Sequence, residues 1–457
     1  MQESAKESNY YRQMFDFTNC NPSQREAVTF GEGPLLVLAG PGSGKTFTIT
    51  QRILYLIHEK QIPPQKLLVI TFTREAAVSM RQRFLQISPQ HTTVNFGTFH
   101  SCFYQILLRS GRVSPGNILN EKQKKELIYP VLKKIKAHNS LFATDLPELA
   151  KNLLAAIGYY KNTGDLQSSM DRLPEEWKND FTQVYSGYEE ARKRIRGLDF
   201  DDMLKECEEL LQKDDALRAY WQNLFSYILI DEFQDINYRQ YCIVRLLAQK
   251  HKNVFAVGDD DQAIYGFRGA KPACMKQFVQ EFGAKQIILS TNYRSHQDIV
   301  EASLAVIEEN RDRFPKNLEP CEANRRHLGK MDKKNYHVRI REFSGAKEQL
   351  QFLMRQLKDR TEGETYGILF RTNLAMQSVA AGLTREGISF SIKEHGKNIY
   401  DHFIVQDILA YLRIAQGTAA RADYLRVVNK PFRNISREAF GGEVSLQALE
   451  QYYADLM

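Results

Sequence analysis

Six cysteines (Cys20, Cys102, Cys207, Cys242, Cys274 and Cys321) are scattered through 457 residues, and no two form a C-x-x-C pair. That spacing argues against a disulfide scaffold, a zinc site or an iron–sulfur cluster, and it suits a reducing cytosol. No window approaches the ~18 apolar residues of a membrane span. The polar start, MQESAKESNYYRQMF, lacks the apolar core of a secretory leader. A cytoplasmic protein without a membrane partner is the expectation. No internal repeat and no low-complexity tract occurs. The remainder is ordinary for a globular chain of more than one domain, with 43% hydrophobic and 26% charged residues. A net charge of +7 is compatible with a polyanionic partner without demanding one.

Against that plain background one stretch stands out, Ala39–Thr46, AGPGSGKT. It follows a short apolar run, Leu35–Leu38, and leads into a helical pattern at Ile49, Ile53 and Leu56. Strand, glycine-rich turn and helix together make a phosphate-binding loop. Gly40, Gly42 and Gly44 let successive backbone N–H groups curl around an anion, with Pro41 and Ser43 between them. Lys45 supplies a charge for the β- and γ-phosphates and Thr46 a hydroxyl for Mg²⁺. Upstream, Asn21 can cap a helix that has Pro22 at its first position. Gln24, a turn in, carries an amide able to pair with adenine N6 and N7.

Further strands are expected at Leu67–Thr71, Thr93–Phe96, Tyr227–Ile230, Val254–Val257 and Ile287–Leu289. The residues just past these strands have chemical character. Phe72 and the Gly97-Thr98-Phe99-His100 run have the composition of a sheet rim that grips a phosphate backbone and stacks a base. Asp231 and Glu232 are adjacent acids at a strand's carboxyl end, suited to Mg²⁺ and to the attacking water. Gly258-Asp259-Asp260-Asp261-Gln262 precedes Tyr265, Phe267 and Arg268, an aromatic and basic set suited to single-stranded nucleic acid. Tyr293 can stack on a base and Arg294 can reach a γ-phosphate. Residues 104–196 read as helical, with basic runs at 122–125, 133–136 and 192–196. A second α/β segment is expected from strands at Arg339–Phe343 and Tyr366–Phe370, with a helix at Ala346–Leu357 between them.

AGPGSGKT, TFTREAA, GTFHS, DEFQD, VGDDDQAIYGFRGA and NYRS, in this order, resemble the superfamily-one DNA helicases of the UvrD/PcrA/Rep type. The resemblance covers residues 17–430. It implies an α/β fold: a RecA-like P-loop NTPase domain with a parallel sheet and a helical insertion, plus a partial second RecA-like domain. The expected division is a disordered lead-in at 1–16, a first RecA-like domain at 17–105 and 197–295, and an insertion at 106–196. A partial second RecA-like domain at 296–406 and the start of a second insertion at 407–457 complete it. The cofactors implied are ATP and Mg²⁺, and the partners are single-stranded DNA and 3′-tailed duplex.

By the same resemblance, Gln24 reads adenine, Tyr293 stacks on it, and Arg52 also lies by the nucleotide. Lys45 holds phosphate, Thr46 and Asp231 hold Mg²⁺, and Glu232 is the base. Gln262 senses the γ-phosphate, and Arg294 is an arginine finger. Phe72, Thr98, His100, Tyr265, Phe267, Arg268 and Asn373 line the single-strand track.

Three departures from the family pattern stand in the sequence. Phe267 replaces the usual Trp, Thr291 replaces the usual Gln, and the two late motifs that complete the second RecA-like domain do not occur after residue 300. The chain therefore reads as the front part of a longer helicase moving 3′→5′. Two alternatives stay open: a nucleotide- and strand-binding module without motor activity, and the motor part of an ATP-dependent nuclease complex.

Overall fold

A computed structural model describes residues 19–114, 116–135, 146–325, 338–361, 363–393, 400, 403–431, 433, 435, 439 and 446–455. They form two compact bodies, Met1–Val338 and Arg339–Met457. The expected lead-in at 1–16 lies outside the described residues.

The first body begins with α1 (Pro22–Thr29), β1 (Leu35–Ala39), α2 (Lys45–His58), β2 (Leu67–Thr71), α3 (Arg74–Ile87), β3 (Asn95–Thr98) and α4 (Phe99–Arg109). The insertion contains α5 (Glu121–Ile135), α6 (Leu146–Thr163) and α7 (Phe181–Arg194), with two short helices between α6 and α7. Thereafter come α8 (Phe200–Lys213), β4 (Tyr227–Ile230), α9 (Tyr238–Ala248), β5 (Val254–Gly258), α10 (Ala273–Phe282) and β6 (Lys285–Leu289). A short parallel pair, β7 (Thr291–Asn292) and β8 (Glu319–Pro320), brackets α11 (Gln297–Ile307).

The six main strands form one parallel sheet in the order β3-β2-β4-β5-β1-β6. β1, β2, β4 and β5 are buried throughout, so they read as continuous apolar runs. Their period of two divides the side chains between two cores. Leu36, Leu38, Ile228 and Ile230 meet the helices of one face, including α4, α8 and α9. Leu35, Val37, Tyr227 and Leu229 meet α1, α2 and α3 on the other. This order places β1, β5 and β4 side by side, so the loops leaving their carboxyl ends converge. Ligands of doubly wound sheets sit at that end.

The insertion has its own core around Trp177, Phe181, Val184 and Tyr188. Before it, Ile106 and Leu107 at the end of α4 pack into the sheet's core. The chain re-enters through Leu198, which accepts from Leu119 N at 2.8 Å and donates to Asn117 O at 2.7 Å. Beneath this junction the buried Lys161 ammonium lies 2.6 Å from Glu189, 2.7 Å from Asp199 and 2.8 Å from Asp202. Asp199 also caps α8, accepting from Asp202 N at 2.8 Å.

Residues 296–325, which the sequence reading assigns to the second domain, pack within the first compact body. Charge explains the attachment, because Arg313 and Lys316 pair with the carboxylates that follow β5.

The second body contains α12 (Ala346–Lys358), α13 (Asn373–Arg385), α14 (Phe403–Ala415), α15 (Arg421–Val427) and α16 (Leu446–Ala454). Its core joins Met354, Leu357 and Leu383. The strands expected at 339–343 and 366–370 are not formed as such among the described residues. A strand needs a ladder partner for its N–H and C=O groups, and these segments have none there. Their side chains are correspondingly open, Ile340 at 92% and Leu369 at 97% exposure.

Asp201, at the start of α8, generates a prediction. Burial and the neighbouring Asp199 carboxylate push its pKa up to about 6, while Asn162 donates to it at 2.6 Å. An acid whose folded pKa is raised stabilises most below its unfolded value and loses that contribution as pH rises through the folded one. Asp201→Asn keeps an acceptor for Asn162 and removes the titration. The variant should be more stable than the parent by roughly 2 kcal/mol at pH 8, with the advantage shrinking as pH falls below about 6. Thermal unfolding of both proteins across pH 4–8 measures it.

Candidate active site

The loop between β1 and α2 has the conformation that its glycines permit. Gly42 and Gly44 have φ of +70° and +86°, a region costly for residues with a Cβ. Ser43 Oγ donates to Gly40 O at 2.7 Å, closing the turn. Lys45, first residue of α2, reaches back to Ala39 O at 3.4 Å and lies 3.9 Å from Glu232 Oε2. The N–H groups and positive end of α2 therefore face the same space as an ammonium, the arrangement that holds an oligophosphate.

A second segment lies over this loop. Asn292 Nδ2 donates to Pro41 O at 2.8 Å and Tyr293 N to Gly42 O at 2.9 Å. The Arg294 backbone is held by Asn292 Oδ1 at 2.8 Å. Thus Tyr293 and Arg294, far downstream in sequence, flank the loop.

Gln24 is 2% exposed. Its Oε1 accepts from Asn21 N at 3.1 Å and its Nε2 donates to Ser43 O at 3.0 Å. One lone pair and one N–H of the amide remain for a base.

Arg52 is the expectation that needs correcting. It stands two turns along α2, and its guanidinium donates to the carbonyls of Val28, Phe30 and Gly31. Burial lowers its pKa to about 10. Its work is to close the backbone between α1 and β1, at the end of the sheet remote from the phosphate loop.

At the end of β4, Asp231 is buried, and its pKa is pushed up to about 7 by burial and by Glu232, against the pull of Lys45. It accepts from Glu232 N at 3.0 Å. A buried carboxyl that resists ionisation alone fits a divalent cation, which would take the proton's place. Thr46, second residue of α2, carries the hydroxyl that would serve the same cation. Glu232 has φ of +51°, an uncommon conformation for a side-chain-bearing residue.

Glu232 depends on a residue that sequence reasoning passed over. Gln234 donates to Glu232 Oε2 at 2.8 Å, and its Oε1 accepts from Asp259 N at 2.9 Å. Gln262 Nε2 in turn donates to Asp259 Oδ2 at 2.6 Å. Lys316, fully buried, donates to Asp259 and Asp260 and lies 3.0 Å from Asp261. Only the position of Gln234 inside DEFQD hinted at such a role; Lys316 sits in a charged stretch with no local signal.

Three residues later the loop carries its aromatic set. The rings of Phe72 and Tyr265 lie 4.7 Å apart and those of Tyr265 and Phe267 5.9 Å apart. Phe267 is 60% exposed. Arg268 closes the same helical turn, Gly266–Arg268. Thr98 caps α4, accepting from Ser101 N at 3.2 Å. His100 sets its ring edge-on to Phe200 at 5.4 Å, and burial lowers its pKa. These two therefore already have structural partners. Asn373 opens α13 in the second body.

The parallel sheet, the glycine-rich loop entering α2 and the paired acids at the end of β4 define a P-loop nucleotide-binding protein of RecA-like fold. Residues 20–283 match the UvrD/REP helicase N-terminal domain, and residues 287–453 match the UvrD-like helicase C-terminal domain. The chain belongs to the UvrD/REP helicase family. It is 35% identical over 419 residues to the putative ATP-dependent DNA helicase YjcD of Bacillus subtilis, covering 88% of this chain and 53% of that protein. To the ATP-dependent DNA helicase PcrA of Staphylococcus epidermidis it is 34% identical over 445 residues, 95% of this chain and 58% of that protein. With PcrA of Staphylococcus aureus the figures are 32% over 439 residues, 94% and 58%. The chain thus spans a little over half the length of these relatives. Among its described residues no helix is long and apolar enough to cross a membrane.

The crossing at Gly42 is directly testable. A Cβ there would lie 2.7 Å from Arg294 Cβ and 2.8 Å from Asn292 Oδ1, at a positive φ. Gly42→Ala should cost roughly 1–3 kcal/mol of stability and displace the 292–294 segment. A melting temperature equal to the parent's, with nucleotide affinity intact, would show that the crossing is loose.

Proposed function

We propose that this chain couples ATP hydrolysis to movement along single-stranded DNA, as the motor of a 3′→5′ helicase acting on 3′-tailed duplexes. The observation that carries the reading is the short loop after β5, where Gln262 and the aromatic pair Tyr265 and Phe267 stand three to five residues apart. A γ-phosphate sensor and a base-stacking surface on one loop give hydrolysis a direct route to the strand.

In this reading ATP lies along the 39–46 loop, with Lys45 on the β- and γ-phosphates and Thr46 and Asp231 holding Mg²⁺. The metal's contribution is neutralisation of phosphate charge. Glu232 orients and deprotonates the attacking water, and Gln234 keeps its carboxylate aimed while Lys45 lies beside it. Arg294 stabilises charge on the transferred group. Gln262 can exchange its bond to Asp259 for one to the γ-phosphate, drawing the aromatic loop with it. Phe267 keeps a stacking face but has less area than an indole.

Steady-state ATP hydrolysis with and without single-stranded DNA tests the proposal. Strand-stimulated turnover is expected, falling roughly 10²-fold or more in Lys45→Ala and in Glu232→Gln. Phe267→Ala should weaken strand binding by roughly 5- to 100-fold while leaving strand-free turnover near the parent's. Nucleotide and strand binding without turnover would overturn the motor and leave a recognition module.

A further inference from the structure

Asn21 is joined to both residues proposed to contact the base, and the three form a continuous chain of hydrogen bonds. Its backbone N–H donates to Gln24 Oε1 at 3.1 Å, and its Oδ1 accepts from Gln24 N at 2.8 Å. Its side-chain nitrogen, Nδ2, donates to the Tyr293 hydroxyl at 2.8 Å, across 272 residues of sequence. Gln24 in turn is tied to the phosphate loop through Ser43 O. Capping α1 needs only the side-chain oxygen, and serine or aspartate would serve as well. The contact to Tyr293 is additional, and it uses an amide's second function.

We infer that Asn21 is a positioning residue that sets adenine specificity, fixing the edge-reading amide of Gln24 and the stacking ring of Tyr293 at one mutual geometry. The inference rests on the proposal of ATP as the nucleotide and on the expectation that Gln24 and Tyr293 hold its adenine. The atoms left over define the chemistry. Gln24 Oε1 has one lone pair for an exocyclic amine, and its Nε2 has one N–H for a ring nitrogen acceptor. Adenine offers both along one edge, at N6 and N7. Guanine offers O6 and N7, two acceptors, so Oε1 would face an oxygen. Discrimination of that kind requires the base to be held at a fixed distance from the amide. The Tyr293 ring sets the plane of the base, and Tyr293 is about half exposed. Without the hydroxyl's bond to Asn21 the ring gains rotamer freedom, and both purines can shift to suit themselves.

The test is ATP and GTP binding to the full chain, by displacement of a fluorescent adenine nucleotide, in four variants. Asn21→Ser keeps the cap of α1 and cannot reach Tyr293. Tyr293→Phe keeps the ring and removes the hydroxyl. Each should weaken ATP binding by about three- to tenfold and leave GTP binding within about twofold, so that the preference for ATP narrows. The double variant should be no weaker than either single one, since both remove the same bond. Tyr293→Ala, which removes the stacking face, separates the base site from its positioning. If it leaves ATP affinity unchanged, the base does not lie there, and the proposed adenine site falls together with the role of Asn21. If it weakens ATP binding while Asn21→Ser does not, the adenine site stands and the inference is overturned. Multiplicative losses in the double variant, or equal losses for ATP and GTP, overturn it as well.

Discussion

A buried ammonium is the fixed point around which the charges of this sheet edge are organised. Lys316 has no exposed side-chain surface, and it meets three consecutive carboxylates, Asp259, Asp260 and Asp261. Three acids on one turn would repel one another and lose solvation; a central cation paired with each offsets both effects. What depends on it extends outward. Asp259 restrains Gln262 through one oxygen, and its backbone N–H orients Gln234, which holds Glu232. Arg313 closes the far side on Asp261 at 2.6 Å. A second buried lysine, Lys161, does the same for Glu189, Asp199 and Asp202 where the insertion joins the core. In both places the acids gather around an ammonium. Beside the phosphate loop the carboxyls of Asp231 and Asp235 are held high, at about 7, by burial and Glu232, and burial with Asp199 holds Asp202 of the Lys161 cluster equally high.

The parts of this architecture that were legible in the sequence are those dictated by burial on both sides. β1, β2 and β4 are uninterrupted apolar runs because helices cover both faces, and their limits are readable to within a residue. β6 is harder: as an edge strand it exposes Lys285 and Gln286, so only its Ile287–Leu289 half carries a signal. Segments 339–343 and 366–370 have strand composition without strand structure, because composition records a preference while a strand also requires a neighbour. The phosphate loop is local chemistry, and eight consecutive residues announce it.

Contacts that join distant segments were not legible in the same way. The family resemblance sets Arg52 by the nucleotide; it lies seven residues past Lys45, and the rise of a helix carries it two turns away to three carbonyls. Lys316 stands in a charged, irregular stretch, where one lysine looks like another until its burial is known. Gln234 differs only in that it lies inside a motif, so its place was visible while its task was not. Sequence reveals groups whose chemistry is completed by neighbours, and conceals those completed by partners on other segments of the chain, 21 to 57 residues away in these three cases.

The segment lying over the phosphate loop belongs to that second kind. Pro41 and Gly42 lend their carbonyls to Asn292 and Tyr293, and Leu318 occupies the space a side chain at Gly40 would take. During synthesis the loop is therefore made early and finished late. Its helix can form locally, but β1 pairs with β5 and β6, so the strand's partners and the loop's cover alike arrive only after the whole insertion and most of the sheet have been added. Contacts of such sequence separation are slow to close. The nascent chain thus passes through a long interval in which the phosphate loop exists without the segment that encloses it.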